Sequence, residues 1–229
     1  MRGGKTKTGY TITEVLIVLA ISSAMFIAAN AFISGRVAET SFRTGVNEMA
    51  SRIQDVIDQV SNGQYNDRPL TCTESSGNLT IATGVSGQGS NKQCSYIGKF
   101  FTFTAANNAY SVDSLAYKAS DETLSSYQSN VVKRITDFKI DQKISGGLKT
   151  TNPSTPPSDW NLEFGFVLNP NTQGSNSDKV WLVNLNYAKI NTAYFCLIGG
   201  SRTAKIKIGD SITSGNLVVK TDFINTTGC

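Results

Sequence analysis

The chain has 229 residues, of which 17% are charged and 9% aromatic, and it is rich in Ser, Thr, Asn and Gly. This composition is more typical of secreted β-rich proteins than of cytosolic enzymes. Histidine is absent, which removes the commonest general acid–base and metal ligand and argues against catalysis and against a cofactor. Arg2, Lys5 and Lys7 precede position 10, and without them 18 basic residues face 17 acidic ones. Nucleic-acid binding is therefore possible only through a local patch.

An uncharged apolar segment follows this basic N-terminus. It extends from Val15 to Gly35, and its polar residues are Ser22, Ser23, Asn30 and Ser34. Because a helix of about 20 residues spans roughly 30 Å of hydrocarbon, the segment is long enough to cross a bilayer. The basic residues before it predict a cytoplasmic N-terminus, with everything beyond about Arg36 outside the cytoplasm.

A cleaved secretory signal peptide is the main alternative for this segment. Signal peptides also combine a basic start with an apolar middle, but their apolar part is shorter and ends at a small-x-small cleavage site. No clear site of that kind follows the segment here. A membrane-spanning helix is therefore the preferred interpretation.

The helical pattern continues beyond the apolar segment. Apolar residues recur at spacings of three and four, at Phe42, Val46, Met49, Ile53, Val56 and Val60. This spacing predicts an amphipathic helix with one apolar stripe. Asn62 and Gly63 supply a C-cap, so we expect one continuous helix from Tyr10 to Ser61.

The most specific motif is Gly-Tyr-Thr-Ile-Thr-Glu at residues 9–14, directly before the apolar run. A carboxylate at the membrane-facing start of an apolar helix is costly unless it has a partner. Glu14 is therefore a candidate functional residue.

This N-terminal segment resembles that of type IV pilins and of type II secretion pseudopilins. The resemblance covers about residues 5–35 and implies that a prepilin peptidase cleaves between Gly9 and Tyr10 and methylates the new amine of Tyr10. It also implies that Glu14 pairs with that amine in a neighbouring subunit. Tyr10 replaces the family's usual Phe, and Thr13 is more polar than usual. Many major pilins have a proline near the position of Ala31, and its absence here favours a minor pilin or a pseudopilin.

The pattern changes after Gly63 to short alternating runs separated by Gly, Pro, Asn and Ser, which is typical of strands and turns. The predicted strands are Leu79–Ala82, Phe100–Thr104, Tyr110–Leu115, Ile135–Ile144, Leu162–Leu168, Val180–Tyr187, Ala193–Ile198, Ala204–Ile208 and Leu217–Phe223. We expect an α+β fold in which the long helix packs on an antiparallel sheet. The predicted organisation is a cytoplasmic leader (1–9), a transmembrane and assembly helix (10–35), its amphipathic continuation (36–62) and an extracytoplasmic β-rich domain (63–229).

The four cysteines, Cys72, Cys94, Cys196 and Cys229, show no CxxC spacing, which argues against a zinc site and for disulfides in an oxidising compartment. Of three possible connectivities, the sequence-local one pairs Cys72 with Cys94 and Cys196 with Cys229. Free buried thiols are the alternative.

Two further patterns have ordinary explanations. The segment Asn169–Asp178 spaces oxygen-bearing side chains around a glycine, but only Asp178 is charged, so a polar hairpin loop is favoured over a calcium site and no metal is predicted. A basic strip for DNA is conceivable around the predicted strand Ala204–Ile208, where a solvated strand face is the favoured interpretation; its residues are Arg202, Lys205, Lys207 and Lys220. The segment Gly146–Asp159 is predicted to be a mobile loop.

The sequence thus predicts a non-enzymatic, minor pilin-like subunit of a type IV pilus-type filament that serves adhesion, motility or DNA uptake. The alternatives are a pseudopilin of a type II secretion system and a membrane-anchored extracytoplasmic binding domain. The expected partners are a prepilin peptidase, other pilin or pseudopilin subunits, and inner-membrane lipid before assembly. The precursor is expected to cross the inner membrane once, and the assembled subunit to lie in an extracytoplasmic or cell-surface filament.

Overall fold

The computed structural model describes residues 9–64, 70–75, 78–83, 94–104, 108–118, 132–151, 162–169, 179–210 and 217–224. In chain order the elements are α1 (Ile12–Ser61), β1 (Leu70–Ser75), β2 (Asn78–Thr83), β3 (Cys94–Phe103), β4 (Ala109–Lys118), β5 (Val132–Lys143), β6 (Lys149–Thr151), β7 (Glu163–Leu168), β8 (Val180–Val183), β9 (Thr192–Gly199), β10 (Arg202–Asp210) and β11 (Leu217–Ile224). The predicted α+β class, with a long helix packed on antiparallel sheets, is confirmed.

Helix α1 runs for 50 residues without a break, and no proline interrupts it. It ends as the sequence predicts, because Gly63 adopts a left-handed φ of 66°. The Gly63 amide donates to the carbonyl of Val60 at 3.1 Å, and the Gln64 amide donates to the carbonyl of Gln59 at 2.8 Å. These two bonds form a Schellman C-cap, which satisfies carbonyls that the helix itself leaves open.

The chain divides into two compact units, Met1–Arg43 and Thr44–Cys229. The described part of the first unit is residues 9–43, which contain the start of α1, its apolar run and the charged turns that follow. The second unit contains residues 44–61 of α1 and all of the described strands. Each unit is described separately below.

The strands of the second unit form three antiparallel sheets. Strands β1 and β2 pair alone, a five-stranded sheet has the order β5-β4-β3-β7-β8, and a four-stranded sheet has the order β11-β10-β9-β6. Aromatic side chains join the two larger sheets, since the ring centroids of Phe103 on β3 and Phe195 on β9 are 4.5 Å apart.

The core of the second unit combines the helical stripe with these aromatic residues. The five stripe residues that belong to this unit are all buried: Val46, Met49, Ile53, Val56 and Val60. Phe101 is fully buried, and its ring packs against those of Phe164 at 5.4 Å and Phe166 at 6.0 Å. The amphipathic spacing of α1 and the alternation of β7 therefore meet in one hydrophobic core.

The opposite face of the five-stranded sheet is also covered. Phe100, Val167, Val183 and Tyr187 belong to a second buried cluster there. Because both faces of β7 are buried, its sequence is apolar at nearly every position instead of strictly alternating.

Several strand predictions need correction. Strands β1 and β6 were not predicted, and β6 lies inside the segment Gly146–Asp159 that was expected to be a mobile loop; residues 152–159 lie outside the described part. The predicted strand Val180–Tyr187 is too long, because β8 ends at Val183. The side chain of Asn184 accepts hydrogen bonds from the Asn186 and Ala188 amides at 2.9 and 3.1 Å, which builds a turn.

Lys99 is a partly buried charged residue at the edge of the core. Its ammonium donates a hydrogen bond to Gln59 of α1, beside a small cavity of about 90 Å³ that Asp55 and Tyr110 also line. Burial lowers the pKa of Lys99 below its ordinary value of 10.5, and the carboxylate of Asp55 partly offsets this effect. The charged form of Lys99 therefore opposes folding at neutral pH.

We expect Lys99→Met to stabilise the second unit at pH 7. The advantage should shrink as the pH rises towards 10.5, because Lys99 in the folded wild type then loses its proton before the unfolded chain does. Chemical denaturation across this pH range measures the difference. Lys143→Met, which removes the same charge from an exposed position, should give no comparable gain, and an equal gain in both variants would contradict the assignment.

Candidate functional site

The residues before α1 form an accessible segment. Gly9 and Tyr10 lie outside the helix, which begins at Ile12, and the Tyr10 side chain is 87% exposed. The peptide bond between Gly9 and Tyr10 is therefore not held within regular secondary structure.

Glu14 closes a capping box at the first turn of α1. The Thr11 amide donates to Glu14 Oε2 at 2.9 Å, and the Glu14 amide donates to Thr11 Oγ1 at 3.3 Å. The Thr11 hydroxyl also donates to Glu14 Oε2 at 3.0 Å. These reciprocal bonds satisfy two amides that the helix leaves open, and the helix dipole favours an anion at this end. Glu14 is thus held at the N-terminus of α1 by its own chain.

The helical surface that follows Glu14 is apolar and uncovered. Its large hydrophobic side chains are between 48% and 69% exposed from Val15 to Ile33. Among the residues that the structure describes, one helix is long and apolar enough to cross a membrane, and its most apolar part is not buried. This surface has the character of a membrane anchor or of a helix-packing surface.

Most hydroxyl groups within this surface have backbone partners. Ser23 donates to the carbonyl of Leu19 at 2.7 Å, and Ser34 donates to the carbonyl of Ala31 at 3.0 Å. Such bonds let a hydroxyl lie in an apolar environment at low cost. Asn30 differs, because its amide makes no hydrogen bond with any of the described residues.

Charged residues return directly after the apolar run. The guanidinium of Arg36 lies 5.2 Å from the centre of the Phe32 ring, and Arg43 pairs with Glu39 one turn earlier. The uncharged part of the helix is therefore bounded by Glu14 at one end and Arg36 at the other.

Cys94 and Cys196 are both disulfide-bonded, and the described part of the chain contains no free cysteine. Cys229 and the side chain of Cys72 lie outside the described residues, so the pairing of Cys72 with Cys94 and of Cys196 with Cys229 stays a prediction. The disulfides agree with the oxidising environment expected from the sequence.

A polar cluster around Arg134 lies on the face of the five-stranded sheet that carries the second buried cluster. The guanidinium of Arg134 lies 3.7 Å from the centre of the Phe100 ring and donates to Thr102 Oγ1 at 3.2 Å and to Glu163 Oε1 at 3.4 Å. Burial raises the pKa of Tyr187, and a hydrogen bond and the charge of Arg134 partly offset this rise. These contacts attach the turn after β8 to the sheet. They do not place a nucleophilic side chain next to a general base, so we interpret the cluster as structural.

A groove of about 390 Å³ lies beside the end of α1. Asp58 and Lys179 line it together with apolar side chains such as Ile57 and Leu217. No group of three His, Cys, Asp or Glu side chains within the described residues is close enough to hold a metal ion. Apart from Asn169, the calcium-like segment Asn169–Asp178 lies outside the described part.

The structure divides the predicted basic strip. Lys205 and Lys207 share one face of β10, and Lys220 on β11 lies directly opposite Lys207. Arg202 lies on the other face, because it is an odd number of residues from both lysines.

No family model, no curated protein and no solved structure matches this chain.

Sequence reasoning missed two features of these sites. The capping role of Thr11 was visible in the T-x-x-E spacing before an apolar run, which is a known N-terminal signature. The Arg134 cluster had no local signal, because its members come from strands far apart in the chain.

Proposed function

We propose that this chain is a structural, minor pilin-like subunit of a type IV pilus-type filament. A prepilin peptidase cleaves it between Gly9 and Tyr10 and methylates the Tyr10 amine. The processed subunit then leaves the inner membrane and enters the filament through its N-terminal helix. It is the substrate of the peptidase and performs no catalysis itself.

One observation carries this proposal: a carboxylate held at the start of a wholly exposed apolar helix, four residues after an accessible Tyr10. Cleavage before Tyr10 would create an amine one helical turn from Glu14. In lipid or in a helical bundle, each charge is tolerable only when an opposite charge compensates it. Pairing between neighbouring subunits would neutralise both charges and fix their axial stagger.

The amide of Asn30 supports assembly through this helix. A polar side chain without a partner in an apolar environment favours association with another helix, where it gains a hydrogen bond. The exposed apolar surface around it would be buried by the helices of other subunits.

The unbroken course of α1 favours one alternative, a pseudopilin of a type II secretion system. Many major pilins carry a proline near the position of Ala31, whereas α1 has none and is continuous there. The chemistry of processing and assembly is the same in both cases, so the neighbouring genes distinguish them: secretion cargo with a secretin, or adhesins with a retraction ATPase.

The processing step is tested by producing the full chain in cells together with a prepilin peptidase. We expect the wild type to lose residues 1–9, and Gly9→Val to stay full length, because a branched side chain next to the scissile bond blocks the close approach of the peptidase. Intact mass and N-terminal sequencing measure the outcome.

Gly4→Val is the matched control, since it makes the same change within the leader and away from the scissile bond. It should be processed like the wild type. Retention of residues 1–9 in the wild type would leave a membrane-anchored extracytoplasmic binding domain as the better interpretation, and cleavage near Ala29 would indicate an ordinary signal peptide.

A further inference from the structure

One face of the four-stranded sheet concentrates positive charge. Directly paired residues of antiparallel strands point to the same side, so the register places Lys149, Lys205, Lys207 and Lys220 on one face, with Asp222 as its acidic residue. We call this set the lysine face. The opposite face of the same strands carries the buried residues Ala204, Ile206 and Ile208 of the core. The lysine face also carries buried residues between its lysines, namely Tyr194, Cys196 and Thr203.

Most lysines of the lysine face are exposed and form no salt bridge with the described residues. Lys149, Lys207 and Lys220 are exposed, and no carboxylate of the described residues lies within salt-bridge distance of them. The ammonium of Lys205 lies 3.7 Å from the centre of the Tyr194 ring, and Asp222 is its cross-strand neighbour. The face therefore presents a net positive charge in a chain that is nearly neutral outside its leader.

The pairing of Lys207 with Lys220 is unfavourable for the sheet itself. Like charges directly opposite each other destabilise an antiparallel pair. Lysine on an edge strand can protect that edge against aggregation, which would explain Lys220 on β11. It does not explain Lys207, because β10 lies between β9 and β11. Local conflicts of this kind are expected at functional surfaces.

The chemistry of the face fits a phosphate backbone. Duplex DNA carries about one negative charge per 1.7 Å of its axis, and lysines bind it without reading its sequence. Proteins that prefer single strands stack the bases on aromatic side chains. The described aromatic residue on this face, Tyr194, is buried at 6% exposure under Lys205, so the face has charge but no stacking platform.

We propose that the lysine face is a binding surface for the backbone of double-stranded DNA. Binding is independent of base sequence and centred on the facing pair Lys207 and Lys220. This inference goes beyond the proposed filament role and does not depend on it, because it concerns a surface of the single chain.

The test measures fluorescence anisotropy of a short labelled DNA duplex of arbitrary sequence with the full chain in neutral detergent micelles. We expect Lys207→Gln/Lys220→Gln to weaken binding about tenfold and to reduce the slope of log K against log salt by about 2, since each lost phosphate contact contributes about 0.9. Asp222→Asn should strengthen binding, because it removes the carboxylate of the face.

Lys143→Gln/Lys179→Gln is the matched control, as it removes two exposed lysines from elsewhere. The proposal holds if this control binds like the wild type while the facing-pair variant does not, with unchanged circular dichroism in both. Absence of binding by the wild type, equal losses in both double variants, or tighter binding of single-stranded DNA would overturn it. Binding of heparin but not of duplex DNA would also overturn it, in favour of a polysaccharide ligand.

Discussion

Glu14→Gln is expected to abolish entry into filaments while cleavage before Tyr10 continues. The substitution removes the charge that would compensate the Tyr10 amine of a neighbouring subunit. Leaving one member of a buried ion pair without its partner costs about 3–5 kcal/mol, which corresponds to a loss of more than a hundredfold in assembly equilibrium. The amount of processed chain in sheared filaments, measured by immunoblotting against the membrane fraction, reports the effect.

The capping box makes this test specific. Glutamine at the same position still serves a capping box, so Glu14→Gln preserves the start of α1 and removes only the charge. Thr11→Ala does the opposite, since it removes the capping hydroxyl and keeps the carboxylate, and it should assemble nearly as well as the wild type. Loss of assembly in Thr11→Ala with retention in Glu14→Gln would show that helix capping, and not charge pairing, is what matters.

Gly98→Ala is expected to cause the largest loss of stability in the second unit. A Cβ atom at Gly98 would lie 2.0 Å from the backbone carbonyl oxygen of Phe166 on the neighbouring strand. Backbone atoms cannot move aside as a flexible side chain can, so β3 and β7 would have to separate at the centre of the sheet. We expect a loss of about 3 kcal/mol or more, measured by thermal unfolding in detergent as a decrease on the order of 10 °C.

Gly165→Ala provides a graded comparison on the facing strand. The new Cβ would lie 2.6 Å from the side chain of Phe100, and a side chain can shift in part. Its loss should therefore be smaller than that of Gly98→Ala. If the two variants were equally stable, or Gly165→Ala were the less stable one, the close approach of β3 and β7 at Gly98 would be wrong.

The sequence was most informative where structure depends on neighbouring residues. The apolar spacing from Phe42 to Val60 predicted the buried stripe of α1, and Gly63 predicted its end, because both follow from helical geometry alone. The strand Leu162–Leu168 was predicted nearly to the residue. Strands β1 and β6 were missed because they are short and rich in Thr, and their stability comes from partners distant in the chain.

The candidate sites show the same division. The motif from Gly9 to Glu14 is contiguous, so the sequence alone suggests it, and its role in processing stays a prediction. The lysine face could be predicted only in part from the sequence. The alternation within β10 places Lys205 and Lys207 on one side, but the sequence does not give the register with β11 that places Lys220 opposite Lys207. The same alternation excludes Arg202 from this face, which corrects the strip suggested by the sequence.

The filament role is tested most directly by the intact mass of this chain in filaments sheared from cells that carry the complete assembly machinery. We expect a subunit that begins at a methylated Tyr10 and is present in the filament fraction. A chain that keeps residues 1–9 and stays in the membrane fraction would show that it is not a filament subunit.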